Sequence, residues 1–226
     1  MSFFKTNKKV LTVSPHPEKF LNGLTSNSLD KPQNAFVNLH GRIIATFDQF
    51  KVNDELFLLV IEADFVSGVL AHVERFAKLS KVEIKPQGLA VYFDLAGDYK
   101  PGEGEYTLPQ KAGRLVLTTK TLPAVSESEF TLFRLKNDIP LLGVDYKDEM
   151  LLNVSEVNHV SFTKGCFLGQ EPIAKVHHRS RPTWKLGAKF EDECTDEEKS
   201  KMTSKTTDPA TGKVLGFVFV KNIDKF

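Results

Sequence analysis

Apolar residues fall in short runs along most of the chain, and their spacing switches between strand-like and helix-like at defined points. Val10 to Val13 read as a strand; Pro15 and Pro17 then lead into EKFLNGL. Proline suits a first helical turn and Gly23 suits an exit, so a short helix is expected there. AFVNL and RIIATF flank a glycine turn at His40-Gly41, and ELFLLVI follows a polar turn at Asn53-Asp54, which predicts a three-stranded meander. Phe65, Val69, Val73 and Phe76 recur at helical spacing behind Asp64, an expected N-cap. They predict an amphipathic helix over residues 65–79. VEIK and LAVYF are the next strand candidates.

From Asp94 to Lys111 the chain carries Gly97, Pro101, Gly102, Gly104 and Pro109, the composition of a long loop. RLVLTT resumes a strand. Ser126 followed by Glu129 is the signature of a capping box, so SEFTLFRLKN is expected to form a second helix. Strands, helix, strands and helix in this order predict the α+β class. Beyond Arg181 the character changes. WKLGAKF alternates Trp184, Leu186, Ala188 and Phe190 as a half-buried strand would, EDECTDEEKSKMTSKTTDPATG reads as a charged linker, and KVLGFVFV offers a last strand. The expected division is a main domain over residues 1–181 and a small, truncated β segment over 182–226. No internal repeat is visible.

Composition narrows the classes of function. The 226 residues are 41% hydrophobic, enough for a packed core. Thirty basic and twenty-nine acidic side chains leave a formal charge of +1, so no global field draws the chain to nucleic acid or to a membrane surface. The opening MSFFKTNKKV lacks the apolar run of a secretory signal, and no stretch is long and apolar enough for a membrane span. Two cysteines without metal-ligand spacing argue against a disulfide scaffold and a zinc site; no metal is expected. A reducing compartment, the cytoplasm, is the simplest reading.

The chemistry concentrates at KGCFLGQE, residues 164–171. Pro172 is placed to open a short helix continued by IAKVHH, with Gly169-Gln170-Glu171 as its lead-in. Cys166 would then sit near a helix N-terminus, where the dipole, Lys164, and Arg179 or Arg181 would favour the thiolate. A free cysteine between glycines is also a common small core residue, and local physics leaves both readings open. Cys194 lies in EDECTDEE, whose six acids should raise its pKa and leave it a passive surface thiol. HHRSR, residues 177–181, reads either as a patch for a phosphate or carboxylate tail or as a solvated helix end.

KGCFLGQE resembles, at every position, the K-G-C-[FY]-x-G-Q-E motif of YgfZ-type folate-binding proteins, relatives of the glycine-cleavage T-protein, an aminomethyltransferase. FLNGLTSNSL, LHGRIIATF and RLKNDIPLLGVD are similar to further family segments in the family order, so the resemblance spans residues 10–190. It implies two α+β lobes and a β-barrel lobe around a folate-sized hole faced by the cysteine motif. It also implies a role in assembly or repair of iron–sulfur proteins, assisted by tetrahydrofolate, with effects on iron–sulfur enzymes that modify tRNA. By this resemblance Cys166 is the reactive thiol with Lys164 beside it, and Gly165, Gly169, Gln170, Glu171, Lys136 and Arg179 are candidates for the folate cleft. Two departures from the family stand out. Ala45 and Thr46 stand where aminomethyltransferases carry an Asp-Asp pair, so aminomethyl transfer by that route is not expected. Lys136 stands where a glutamate holds the pterin ring, and an ammonium, which only donates, cannot make that contact. A folate-dependent transferase and a scaffold that only binds a protein partner are the alternatives.

Overall fold

The computed structural model describes residues 2–155 and 158–222. The described chain is α+β, with three antiparallel sheets. In chain order the elements are β1 (Phe3–Lys5), β2 (Lys8–Ser14), α1 (Pro17–Leu24), β3 (Gln33–Val37), β4 (Ile43–Asn53), β5 (Leu56–Glu62), α2 (Val66–Ser80), β6 (Glu83–Gln87), β7 (Ala90–Asp94), β8 (Tyr106–Pro109), β9 (Arg114–Thr118), α3 (Glu127–Asn137), α4 (Leu151–Val154), α5 (Gln170–Lys175), β10 (Trp184–Phe190), α6 (Asp196–Lys201), β11 (Thr203–Thr207) and β12 (Val214–Lys221).

The meander predicted from the turns is β3, β4 and β5, and it continues into a five-stranded sheet of order β3-β4-β5-β2-β6. One face packs Leu11, Phe47, Phe57 and Leu59 against Phe20 and Leu21 of α1 and Val69 and Val73 of α2. The other face sends Val10, Leu58 and Val60 to Val91, Phe93, Leu115 and Leu117 of the four-stranded sheet β1-β7-β9-β8 and to Phe130 of α3. Burial on both faces explains why ELFLLVI is a continuous apolar run rather than an alternating one.

Several local expectations change. The helix begins at Val66 behind a 3₁₀ turn over Ala63–Phe65, with no side-chain cap, so Asp64 is not the N-cap. Ser126 does cap α3, its hydroxyl accepting from the Glu129 amide. The glycine- and proline-rich stretch after Asp94 contains β8, because Tyr106 to Pro109 find a partner in β9. Strand β10 forms, but Trp184 at its start is exposed.

The region read as a charged linker is structured. Thr195 and Glu198 form a reciprocal capping box that starts α6, and β11 then adds to β12 to complete the sheet β10-β12-β11. Cys194 is not a surface residue: it is buried with Met202 and Val218. On its opposite face this sheet contributes Leu186, Leu215 and Phe217 to the main core. The junction is further tied by a buried pair, Arg134 Nη1 to Asp145 Oδ2 at 2.8 Å, with Ser204 accepting from Arg134 and donating to Asp145.

Candidate functional site

The thiol loop is held by its neighbours on both sides of Cys166. Lys164 extends its ammonium to the backbone carbonyls of Thr25 at 2.6 Å and Asn27 at 2.9 Å, just past the end of α1. Its half-buried position, with no carboxylate beside it, pushes its pKa down to about 8. Phe167 is buried, and the Leu168 amide donates to Gly23 O at 3.0 Å. Gly169 has φ +83°, and a Cβ there would collide with the Asn38 carbonyl oxygen, so only glycine lets the loop pass that strand end. Gly41, in the β3–β4 turn, likewise leaves room for Pro172 and Ile173 of α5. Cys166 itself is exposed.

The ammonium of Lys164 is therefore spent on two carbonyls, and its role is to position the loop. Helix α5 starts at Gln170, two residues ahead of Pro172, and passes into a π-helical turn over Val176–Ser180. Glu171 and Arg179 are exposed, Gly165 faces open space, and His177 stacks on Phe162 with ring centroids 3.7 Å apart.

A cavity of about 790 Å³ lies elsewhere in the fold, between the two larger sheets, α3 and the C-terminal sheet. Its wall includes none of Lys164, Gly165, Cys166, Gly169, Gln170, Glu171, Lys136 and Arg179. Phe4, Phe47, Phe65, Phe93 and Phe130 line it, together with a polar cluster that the motifs did not single out. Lys8 Nζ lies 3.4 Å from Asp48 Oδ2 and 3.1 Å from Glu62 Oε1, with side-chain exposures of only 12, 6 and 15%. Burial pulls the Lys8 pKa down, but the two carboxylates outweigh it and hold the ammonium above the ordinary lysine range. Gln110 Nε2 donates to Asp48 Oδ1 at 2.7 Å and accepts from Gln33.

Around this cluster, Thr46 Oγ1 and Tyr146 Oη are 2.6 Å apart, and burial raises the tyrosine pKa. His159 is pushed down to about 4 by burial, so it is neutral at physiological pH; its occluded Nδ1 has no hydrogen-bond partner. Sequence reasoning passed over these residues. The one signal was Asp48-Gln49, a polar pair set between Phe47 and Phe50 in a strand, where both prove to be buried.

Lys136 points away from the cavity, to Asp208 of the C-terminal segment at 2.9 Å. Asp138, which leaves α3 in the left-handed conformation at φ +52°, lies on the cavity wall. Its carboxylate is engaged by Lys111 Nζ at 2.9 Å and by the Ala188 amide at 3.2 Å. Cys194 has a raised pKa, as its acidic surroundings suggested, but burial is the larger cause and Glu198 the next.

No family model matches the chain. It is 25% identical over 225 residues to a mitochondrial iron–sulfur cluster assembly factor IBA57 homologue of Neurospora crassa, covering 77% of this chain and 50% of that protein. It is 25% identical over 179 residues to an uncharacterised protein of Haemophilus influenzae, covering 72% of this chain and 63% of the other. A third match, 33% over 75 residues, is to the tRNA-modifying protein YgfZ of Colwellia psychrerythraea and covers 31% of this chain and 23% of that one. The chain thus spans from about a quarter to under two thirds of the length of these relatives. Among solved structures, aminomethyltransferase T of the glycine cleavage system from Bartonella henselae superposes with a TM-score of 0.69 at 13% identity, over 97% of this chain and 78% of that one. That likeness shows the fold. Among the described residues no helix is long and apolar enough to cross a membrane.

Proposed function

From the premise that this chain is a member of the superfamily that holds YgfZ and the glycine-cleavage T-protein, we propose that it is an accessory factor in assembly or repair of iron–sulfur proteins and works through Cys166. The observation that carries this reading is the design of the thiol loop. Every neighbour of Cys166 with a stabilising role is tied to the body of the protein, by Lys164, Phe167, the Leu168 amide and the close approach at Gly169, while the sulfur stays exposed. A thiol displayed on an anchored loop suits an encounter with another macromolecule, here an iron–sulfur client. The IBA57-named relative, which matches 77% of the chain, supports the same reading. A reducing compartment, the cytoplasm in the reading of the sequence, keeps such a thiol free.

The cavity supports a folate-type ligand as a second part of the function. Its volume, its aromatic walls and its few convergent polar groups suit a flat heteroaromatic of folate size. Tetrahydrofolate held there would supply a one-carbon carrier or a source of reducing equivalents. The chain's own part is to bind the ring between apolar walls and to keep water from it. An aminomethyltransferase of the T-protein kind is disfavoured, since Thr46 stands in place of a carboxylate and its hydroxyl is taken up by Tyr146.

The test is rescue of iron–sulfur enzyme activity in a host lacking its own family member. Wild type should rescue and Cys166→Ala should not, although both fold alike. Full rescue by the mutant overturns the thiol reading. Turnover of a folate one-carbon adduct with an amine or thiol acceptor would instead revive the transferase.

A further inference from the structure

The carboxylates of the cavity are not equivalent. Asp48 is engaged at both oxygens, by Gln110 and by Lys8, and Asp138 at both, by Lys111 and the Ala188 amide. Asp64 and Glu127 are exposed. Glu62 is half-buried, its carboxylate meets Lys8 at one oxygen, and that carboxylate has no other hydrogen bond among the described residues. Among these carboxylates it is the sheltered one that still has lone pairs to offer. The neighbouring groups cannot take the same role: Lys8 is a donor drawn to two carboxylates, and a neutral His159 has at most one acceptor nitrogen, so it cannot receive two adjacent donors.

We infer that Glu62, and not position 136, selects the ligand of this cavity, by accepting two adjacent N–H donors from the edge of a flat heteroaromatic such as a pterin. A pterin presents N3–H and the 2-amino group side by side, a match for one carboxylate. The local charge agrees. Lys8 against Asp48 and Glu62 leaves one net negative charge in a sheltered place, which welcomes donors and repels an anionic end of a ligand. This inference rests on the reading that the cavity takes a folate-type ligand, and it names the residue that would discriminate.

The discriminating pair of probes is 6-methylpterin and 6-methyllumazine, which differ by an amino group against a carbonyl oxygen at C2. The carboxylate accepts from the first at two points; with the second, one contact becomes acceptor against acceptor. Fluorescence titration at pH 7 should show the wild type preferring the pterin by at least about tenfold, the worth of one charge-assisted hydrogen bond. Glu62→Gln, whose amide offers one acceptor and one donor, should narrow that ratio to about twofold or reverse it. A structural role alone would weaken both probes together and leave the ratio unchanged. Thermal unfolding checks the fold. Should Gln not be tolerated beside Lys8, Glu62→Asp keeps the ion pair, withdraws the carboxylate by one methylene and should also erode the preference.

Lys136→Glu should leave the ratio as in the wild type. An unchanged ratio in Glu62→Gln and Glu62→Asp, a ratio that grows in Lys136→Glu, or a wild type that does not prefer the pterin each overturns the inference. Loss of all pterin binding in the wild type overturns it together with the ligand reading. The thiol reading then still stands or falls on the rescue by Cys166→Ala.

Discussion

Lys164 in the thiol loop and Lys8 in the cavity are both sheltered from water, yet the protein uses them in opposite ways. Lys164 faces two carbonyl dipoles and no anion, and burial lowers its pKa to about 8. Lys8 faces Asp48 and Glu62, which more than offset its burial. One lysine is a strap that ties a loop to the end of α1. The other is a counter-ion that permits two carboxylates to share one wall. A buried charge thus reports on function only through its partners.

The strongest way to break the comparison is Lys8→Met, which leaves Asp48 and Glu62 facing each other without their cation. A loss of about 3–5 kcal/mol in denaturant unfolding is expected, the usual consequence of removing one member of a buried ion cluster. Lys164→Met removes the donor to the Thr25 carbonyl, whereas the Asn27 carbonyl keeps Asn34 Nδ2, at about 1–3 kcal/mol. It should also change the rate of Cys166 alkylation by freeing the loop, whereas Lys8→Met should change that rate only in proportion to unfolding.

Stability against pH sharpens the contrast. Lys164 has a folded pKa near 8, below its unfolded value of 10.5, so between these the unfolded chain binds more protons and this group makes stability rise with pH. Lys8 is shifted upward, so its contribution is complete below 10.5 and is lost as pH rises through its higher folded value. Comparing wild type with each methionine variant over pH 8–10.5 should separate the two slopes. On the acid side His159, folded near 4 against 6.5 unfolded, makes stability fall as pH drops from 6.5 to 4, and His159→Gln should flatten that limb.

Weaker still is Lys136→Glu. It replaces a partly exposed ion pair with Asp208 by like charges, so about 1 kcal/mol or less of stability should be lost, with the C-terminal segment affected first. The smallest effect is expected for Cys166→Ala, within about 0.5 kcal/mol in thermal unfolding, since the exposed sulfur contributes display rather than packing.

Particular residues show why some of this was legible beforehand. Ser126 and Glu129 announce the start of α3 because a cap is a contact between near neighbours in sequence. KGCFLGQE marks the thiol loop because glycine at 169 is demanded by backbone geometry at that point. By contrast, EDECTDEEKSKMTSKTTDPATG looked empty of core. Its few apolar side chains are buried only once β11 pairs with β12, where Gly216 leaves the space that Met202 fills. Lys8 and Glu62 were equally silent, since each alone is an ordinary strand-end polar residue, and Asp48 inside β4 gave only the signal of a polar pair between two phenylalanines.

Local signals therefore determined most element types outside β8, α6 and β11, the α+β class, the thiol and its glycine-bounded loop, because capping, turn geometry and apolar period act over a few residues. Tertiary structure alone decided that Lys164 serves the backbone, that Lys136 turns to Asp208, and that Lys8, opposite Glu62 in the β2–β5 pairing, brings together two acids fourteen residues apart in sequence. The reason is physical. The energy of a charge depends on what lies within a few ångströms in space, and strand pairing sets those distances between residues far apart in the chain.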